Sequence, residues 1–238
     1  MSLESKVVAV LGGSTGMGFA TAKAAAAEGA QVVITGRSQE KLQAALAQLP
    51  AGSRSAALDV TDEAGTRSLF EQIGHVDHIF VTAASVTFGL TLASDSALLR
   101  PAMDTRFLGS LYAAKYGAPQ MKNGGSITFM SGTSAWKPRP GGAVGSASCG
   151  AIEAFGRSLA IDLATIRVNT IAPGFIDTPL IDELAGERKG AFIAQEAARL
   201  PVKRVGTPED IADAVLFLMK NGFVTGITLT VDGGRLLT

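Results

Sequence analysis

The feature that most constrains the fold is a regular alternation of short apolar runs with longer helix-like segments. The runs are β-rich and bounded by Gly, Asp, Asn or Pro, and they cover residues 7–11, 32–35, 78–81, 127–130, 168–171 and 227–231, with a further strand ending at Leu58-Asp59-Val60. The helix-like segments cover residues 17–28, 40–48, 63–73, about 97–121, 147–164 and 208–220. Such alternation is typical of right-handed βαβ units, so the sequence predicts an α/β fold with a doubly wound parallel sheet.

The composition suits a sheet that is buried on both faces. Of the 238 residues, 47% are hydrophobic and only 18% are charged. We find no internal repeat, low-complexity tract or linker, so residues 1–238 are predicted to form one domain. Residues 178–205 mix glycine, charged and apolar residues, and we predict that they form a helical flap over a ligand crevice.

Charge and hydropathy exclude several classes of function. The formal net charge is zero and no segment concentrates Lys and Arg, so a nucleic-acid partner is not expected. No apolar run is long enough to span a bilayer, and the first strand starts too early to leave room for a secretory signal. The single cysteine, Cys149, cannot form an intramolecular disulfide. We therefore expect a cytoplasmic protein without a membrane partner, and we expect no metal site.

A glycine-rich turn follows the first predicted strand and opens the first helix. It reads Leu11-Gly12-Gly13-Ser14-Thr15-Gly16-Met17-Gly18. Glycine allows positive φ and a close approach of the backbone to a pyrophosphate, and a helix N-terminus offers free N–H groups. Because strand, turn and helix occur in the right order, the segment predicts a dinucleotide site. The alternative is a tight turn that binds nothing.

The end of the second strand bears on the choice of cofactor. Many NAD-binding folds place an acidic residue there to bind the ribose, but this chain has Gly36 followed by Arg37. A guanidinium can bind a 2′-phosphate, so the sequence favours NADP(H) over NAD(H). Arg37 could instead be a solvated loop charge. Asp59 is predicted to meet the adenine edge, or alternatively to cap the helix that follows it.

Several further segments, in this order and at these spacings, resemble the short-chain dehydrogenase/reductase family over nearly the whole chain. They are Ala84, Arg167-Val168-Asn169, Pro173-Gly174-Phe175-Ile176-Asp177-Thr178, residues 204–212 and Val231-Asp232-Gly233-Gly234. The resemblance implies a three-layer, Rossmann-type sheet of about seven strands, a nicotinamide cofactor, and a homodimer or homotetramer built through the fourth and fifth helices. The expected cofactor-binding residues are Gly12, Ser14, Thr15, Gly16, Met17, Gly18, Arg37, Asp59, Val60, Ala84, Pro173, Gly174, Ile176 and Thr178, of which Ile176 and Thr178 resemble the family's carboxamide-binding residues.

The four side chains that carry the family's chemistry are all replaced in this sequence. The helix start that resembles the family's Tyr-Ser-Ala-Ser-Lys reads Gly145-Ser146-Ala147-Ser148-Cys149, so Tyr is replaced by Gly145 and Lys by Cys149. By the usual spacing the family's Ser is replaced by Gly132, next to Ser131, and its Asn by Arg106. Reduction of a carbonyl needs a proton donor close to the developing alkoxide, and glycine supplies none.

Two hypotheses follow from these replacements. In the first, the protein is an oxidoreductase with a rebuilt site, in which Arg106 supplies a permanent cation and Ser131, Thr133, Ser146 or a water delivers the proton. In the second, it is a nucleotide-binding pseudoenzyme, a sensor or an oligomerisation partner. Cys149 is interpreted as a small core residue, the alternative being a thiolate activated by a neighbouring cation.

Five aromatic residues have weaker claims to a role. His75 and His78 are expected at the sheet end opposite the ligand crevice, as surface or strand-start residues without catalytic function. Tyr112 and Tyr116, the only tyrosines, lie beyond Arg106 on the fourth helix. Trp136 belongs to a predicted substrate loop, where it could line a pocket or simply pack the loop. The substrate itself is not indicated by the sequence.

Overall fold

The computed structural model describes residues 2–85 and 93–238, with the side chains of residues 183–185 left aside. Its centre is a seven-stranded sheet in the order β3-β2-β1-β4-β5-β6-β7, in which every neighbouring pair is parallel. The strands are β1 Val7–Leu11, β2 Gln31–Gly36, β3 Arg54–Ala57, β4 Val76–Val81, β5 Met121–Met130, β6 Arg167–Pro173 and β7 Thr228–Val231. The predicted doubly wound α/β fold is confirmed.

Helices cover both faces of the sheet. They are α1 Gly16–Ala27, α2 Gln39–Leu46, α3 Glu63–Ile73, α4 Ser96–Met103, α5 Gly109–Gly117, α6 Ala143–Asp162, α7 Pro179–Ala185, α8 Lys189–Arg199 and α9 Pro208–Lys220. One apolar core joins the sheet to α1, α2 and α9, and a second joins its other face to α3, α5 and α6. Because the central strands pack against helices on both sides, their apolar runs are almost completely buried, whereas the edge strands β3 and β7 are partly exposed.

The strand order places a ligand crevice at the carboxyl ends of β1 and β4. The chain runs outward from β1 to β3 on one side of the sheet and from β4 to β7 on the other. The loops that follow β1 and β4 therefore diverge onto opposite faces, and open α/β sheets bind ligands in the gap that this leaves.

Four of the predicted elements were wrong in their extent. The third strand ends at Ala57, so Asp59 and Val60 lie in the loop that follows it. The fourth helix is not continuous over residues 97–121: α4 carries Pro101, a π-helical turn spans Asp104–Leu108, and α5 ends at Gly117. The fifth strand begins at Met121 rather than Ile127, and α6 begins four residues earlier than predicted, at Ala143.

The predicted helical flap is present. Residues 178–205 form α7, a 3-10 turn at Gly186–Arg188 and α8. Its position is fixed partly by an edge-on contact between the rings of Phe175 and Phe192, whose centroids are 5.0 Å apart. Within the described part of the chain, no helix is both long and apolar enough to cross a membrane.

Candidate functional site: a glycine turn and a basic crevice

The glycine turn is tightly packed against the loop after β4. Gly12 has φ +94°, and a Cβ at this position would lie only 2.8 Å from the backbone nitrogen of Ala83. Gly16 also has positive φ, at +54°, and lies beside the Thr178 side chain. L-residues rarely adopt such φ values, so both positions require glycine for the backbone to follow this course.

The turn presents the start of α1 to the crevice without capping it. Thr15 is the N-cap residue, and its side chain makes no capping hydrogen bond to the helix. The first N–H groups of a helix carry a partial positive charge and need an acceptor. These residues therefore fit the pyrophosphate of a dinucleotide, because twelve residues of helix dipole end at an uncapped, glycine-lined turn.

Arg37 and Asp59 lie together beyond this turn. Both line a cavity of about 520 Å³ between the end of β3 and α3. Arg37 is exposed and makes no hydrogen bond or ion pair with the described residues, which leaves its guanidinium free for an anion. Gly36 leaves room for Ser14, whose Oγ would lie 2.8 Å from a Cβ at that position.

The suggestion that Asp59 caps the next helix was wrong. Asp62 is the N-cap residue of α3 and accepts a hydrogen bond from the Gly65 nitrogen at 3.0 Å. Asp59 instead folds its own loop, accepting bonds from the Thr61 nitrogen at 2.9 Å and the Thr61 hydroxyl at 2.7 Å. These two bonds, with a smaller contribution from Arg37, lower the pKa of Asp59 below its usual value.

The other expected cofactor residues lie along the same edge of the sheet. Pro173 ends β6, Gly174 follows it against the backbone of Asp232, and both line the large crevice described next. Ile176 is buried and bridges to Gly206, while Thr178 is the N-cap of α7. Ala84 is exposed just after β4 and Val60 is buried against Gly109. Their roles toward a cofactor remain predictions.

A crevice of about 680 Å³ lies between the sheet edge and the flap. Its walls come from the loop after β4, the π-helical turn, the segment from β5 into α6, the loop after β6, and helices α7 and α8. The flap contributes the apolar residues Leu180, Ile181, Ala191 and Phe192. Neither tyrosine and neither histidine is among the residues lining this crevice in the described chain.

Arg106 projects into this crevice from the π-helical turn. The side chain is buried, with the residue 8% exposed, and its Nη1 donates to the Ser148 hydroxyl at 2.6 Å. A second, longer bond of 3.4 Å reaches the carbonyl oxygen of Gly145. Its Nε finds no hydrogen-bond partner among the described residues. A π-helical turn carries an extra residue and often marks a functional site, and here it aims a cation inward.

Gly145 and Cys149 occupy the start of α6 on the crevice side. A Cβ at Gly145 would meet no atom within 4 Å, so this position is open space. Cys149 is 1% exposed, with its Sγ 3.3 Å from the Ser134 hydroxyl. At Gly132 an added Cβ would lie 3.5 Å from that same Sγ, an ordinary contact. Gly145 and Gly132 could therefore accept larger side chains, whereas Cys149 is packed among its neighbours.

Ser131 is turned away from the crevice, contrary to its expected role. Its hydroxyl donates to Glu153 at 2.6 Å and to the Cys149 carbonyl at 3.3 Å, and Ser131 does not line the crevice. Burial raises the pKa of Glu153, although the bond from Ser131 partly opposes this. This geometry favours a structural role for Ser131. The neighbouring Thr133 and Ser146 do line the crevice, and the buried Oγ of Ser146 has no partner among the described atoms.

The sequence did not reveal how many basic residues meet here. Lys137, Arg139, Arg188 and Arg235 join Arg106 in lining the crevice. They come from four separate segments, so no local run of positive charge signals them. Trp136, by contrast, is 47% exposed and is not among the residues lining the crevice.

The two histidines lie at the far end of the sheet, as predicted. His75 precedes β4 and has its Nε2 3.2 Å from Asp77. His78 is more buried than a strand-start residue was expected to be, and its Nδ1 is 2.8 Å from the Ser126 hydroxyl. Burial lowers the pKa of His78 to about 4.

Comparisons with known proteins extend over nearly the whole chain. A family profile described as enoyl-(acyl carrier protein) reductase matches residues 12–235. Carbonyl reductase family member 4 from Danio rerio is 35% identical over 240 residues, covering 97% of this chain and 98% of that protein. A solved structure described as a short chain dehydrogenase/reductase family protein is 34% identical, has a TM-score of 0.90 and covers 100% of both chains. Another, a small-chain dehydrogenase in complex with NADPH, is 35% identical with a TM-score of 0.86, covering 99% of this chain and 100% of its own.

Proposed function

Because the chain belongs to the short-chain dehydrogenase/reductase family, we propose that it is an NADP(H)-binding oxidoreductase acting on a carbonyl or alcohol through a rebuilt catalytic site. The observation that carries the proposal is the buried, incompletely bonded guanidinium of Arg106 at the inner end of the crevice. A cation in such a place is costly unless a ligand or a carboxylate compensates it.

The residues expected to hold the cofactor are those of the glycine turn, Arg37, and the segment after β6. The uncapped start of α1 suits the pyrophosphate, and the free Arg37 guanidinium suits a 2′-phosphate. The NADPH complex of a 35% identical structure supports the same preference. When bound, a reduced nicotinamide supplies a hydride to a carbonyl carbon.

This chain's own residues would stabilise the oxygen and deliver the proton. As the carbonyl oxygen gains negative charge, the Arg106 guanidinium offers a fixed donor and a permanent cation. Ser148 cannot easily donate, because its hydroxyl accepts from Arg106 and donates to the Gly145 carbonyl at 2.8 Å. Ser146 lines the crevice and its buried hydroxyl has no partner among the described atoms, so we assign it the relay of a proton from water to the new alcohol. A hydroxyl is a weaker acid than a phenol beside an ammonium, so turnover should be slow.

The test is to remove the guanidinium and measure activity and stability separately. Arg106→Met should lower NADPH oxidation with a carbonyl substrate panel by about 10-fold or more, because one preorganised donor is lost. Its thermal stability should be unchanged or higher, since an uncompensated buried cation is replaced by an apolar chain of similar size. Arg157→Met, at an exposed position of α6, is the matched control. A variant that keeps full activity would remove Arg106 from the catalytic site.

The second candidate, a nucleotide-binding pseudoenzyme, is favoured by the open space at Gly145. Nothing within 4 Å of a Cβ there takes the place of a phenol. In that case the protein would bind NADPH and release it unchanged. Binding without turnover, over a panel that includes ketones and α-diketones, is the result that distinguishes it from the first candidate.

We further propose that the protein is cytoplasmic and forms a homodimer or homotetramer. Exposed apolar side chains on helices next to the sheet support assembly, including Leu98 at 64% and Ile161 at 80% exposure. Such residues on α4 and α6 would be covered by a second copy. Analytical ultracentrifugation at micromolar concentration tests this, and a sedimentation coefficient that corresponds to a 24.4 kDa monomer would contradict it.

A further inference from the structure

The crevice has a charge composition that a neutral carbonyl substrate does not need. Five basic side chains line it, namely those of Arg106, Lys137, Arg139, Arg188 and Arg235. Among the described residues, no aspartate or glutamate lines it. Residues 86–92, which the structure leaves undescribed, carry no charged side chain in the sequence. The described lining of the crevice therefore carries an excess of positive charge.

Three of these cations are held in place by contacts behind the wall. Glu196 on α8 is buried, and its Oε2 accepts from Arg139 at 3.0 Å and from Arg235 at 3.4 Å. Lys137 donates to the carbonyl oxygen of Arg235 at 2.9 Å, so no carboxylate neutralises its ammonium in the described chain. The three side chains are thus preorganised, because their positions are fixed before any ligand arrives.

The buried carboxylate of Glu196 is outnumbered by the guanidinium groups that pair with it. Glu196 also pairs with Arg199 at 3.3 Å, so three guanidinium groups share one negative charge. Burial lowers the pKa of Arg235, and so does the nearby Arg139, while Glu196 and Asp232 oppose them. Arg106, which also lines the crevice, has no ion pair among the described residues and keeps its Nε unbonded. The described lining therefore carries more positive than negative charge.

The flap also gives the crevice an apolar surface. Phe175 and Phe192 pack edge to face, and Leu180 and Ile181 extend this surface along α7. A small inorganic anion would leave these residues in contact with water, whereas a chain or ring would cover them. The volume of about 680 Å³ is large enough for a ligand of drug-like size.

We infer that the crevice binds an amphipathic anion, a molecule with an apolar body and a terminal carboxylate or phosphate group that meets the crevice cations, Lys137 and Arg188 among them. The inference rests on the proposed function only in naming this molecule as the substrate; the binding itself does not require turnover. Carboxylate and phosphate share the chemistry that recognises them, a charge-assisted hydrogen bond from a guanidinium or ammonium.

The test compares octanoate, octyl phosphate and octanol by calorimetry on NADPH-saturated protein. Octanoate or octyl phosphate should bind at least 10-fold more tightly than octanol, which has a similar apolar chain but no charge, since a charge-assisted bond contributes about 1.5–3 kcal/mol. Which anion binds more tightly identifies the head group. Equal affinity of all three probes, or no saturable binding of either anion, would overturn the inference.

A double variant locates the binding site. Lys137→Gln with Arg188→Gln removes two crevice cations that do not contact Glu196, and it should weaken binding of the preferred anion by about 10–100-fold. Arg67→Gln with Lys115→Gln, which removes two surface cations of α3 and α5, is the charge-matched control. An equal loss in both double variants would show nonspecific attraction and overturn the site. Because NADPH affinity is measured separately, failure of the cofactor proposal is distinguishable from failure of this one.

Discussion

The glycine turn after β1 and the crevice beside α6 are built from different parts of the chain. The turn consists of backbone: positive φ at Gly12 and Gly16, and the uncapped start of α1. The crevice is lined by side chains from several separate segments, and its basic residues are spread along the chain from Arg106 to Arg235. A backbone site depends on local geometry and survives many substitutions around it, whereas a side-chain site changes its chemistry with a single replacement.

This contrast explains why binding and catalysis can diverge in one fold. Nothing in the turn depends on which residues stand at positions 106, 132, 145 or 149. We therefore expect substitutions in the glycine turn to change cofactor binding, and substitutions in the crevice to change turnover and the choice of ligand.

The largest effect is expected at Gly12. Gly12→Val places a side chain where φ is +94° and where even a Cβ would lie 2.8 Å from the Ala83 nitrogen. The turn must shift, so NADPH affinity should fall by about 100-fold or more. Fluorescence titration measures it, and circular dichroism confirms that the variant is folded. Gly150→Ala, at a position with nothing within 4 Å of an added Cβ, is the control and should bind normally.

A smaller and more selective effect is expected at Arg37. Arg37→Ala should weaken NADPH binding by about 10–100-fold and leave NADH binding nearly unchanged, because only NADPH carries the phosphate that the guanidinium would bind. Arg54→Ala is the matched control, since Arg54 is exposed at the opposite end of the sheet. Equal losses for both cofactors, or tighter binding of NADH by the unmodified protein, would refute the assignment of NADP(H).

The smallest effect on cofactor and ligand binding is expected at the far end of the sheet, where His78 should affect stability only. His78 is neutral in the fold, with its pKa lowered by burial to about 4 from 6.5. The unfolded chain therefore binds more protons between these values, and stability should fall as pH drops from about 6.5 to 4, by up to about 1.4 kcal/mol per pH unit. Urea denaturation at several pH values measures the slope.

A variant assigns that slope to one residue. His78→Asn should reduce it, whereas His75→Asn, at the partly exposed neighbour paired with Asp77, should not. NADPH affinity of folded protein should be the same in both variants, because this end is remote from the crevice. A slope that is unchanged in His78→Asn would show that other groups dominate the acid response.

The sequence predicted the sheet and the glycine turn because their signals are local. An apolar run such as Val7–Leu11 is typical of a strand buried inside a parallel sheet. The positive φ angles of the turn are adopted by its glycines, which the sequence shows directly. The interruption around Arg106 was not predicted, since nothing in Asp104–Leu108 distinguishes a π-helical turn from an α-helical one. The orientation of Ser131 depends on Glu153, which lies 22 residues away. The basic crevice likewise exists only after folding brings distant segments together.

For the catalytic region, the sequence predicted only which of the family's side chains are missing. Gly145 and Cys149 stand where the family's Tyr and Lys are expected, but the sequence does not show which side chains surround these two positions. The bonds from Arg106 to Ser148 and to the Gly145 carbonyl occupy that region in part. Ser146 was a candidate in the sequence only because it follows Gly145, and nothing in the sequence indicated that its buried hydroxyl lacks a partner among the described atoms.

The most direct test of the central claim is steady-state NADPH oxidation over a carbonyl panel, with the unmodified protein beside the quadruple variant Arg106→Asn, Gly132→Ser, Gly145→Tyr and Cys149→Lys. A side chain added at Gly145 meets open space and one added at Gly132 makes an ordinary contact, so these two positions accept larger residues. A matched variant with Gly145→Phe differs from the first only in the phenol hydroxyl. We predict that all three proteins bind NADPH, and that the unmodified protein and the Phe variant turn over very slowly. The turnover rate of the Tyr variant should be higher by about 10²–10⁴-fold. Turnover by the unmodified protein at about 1–10³ per second would contradict the account, because an efficient proton donor would then already be present.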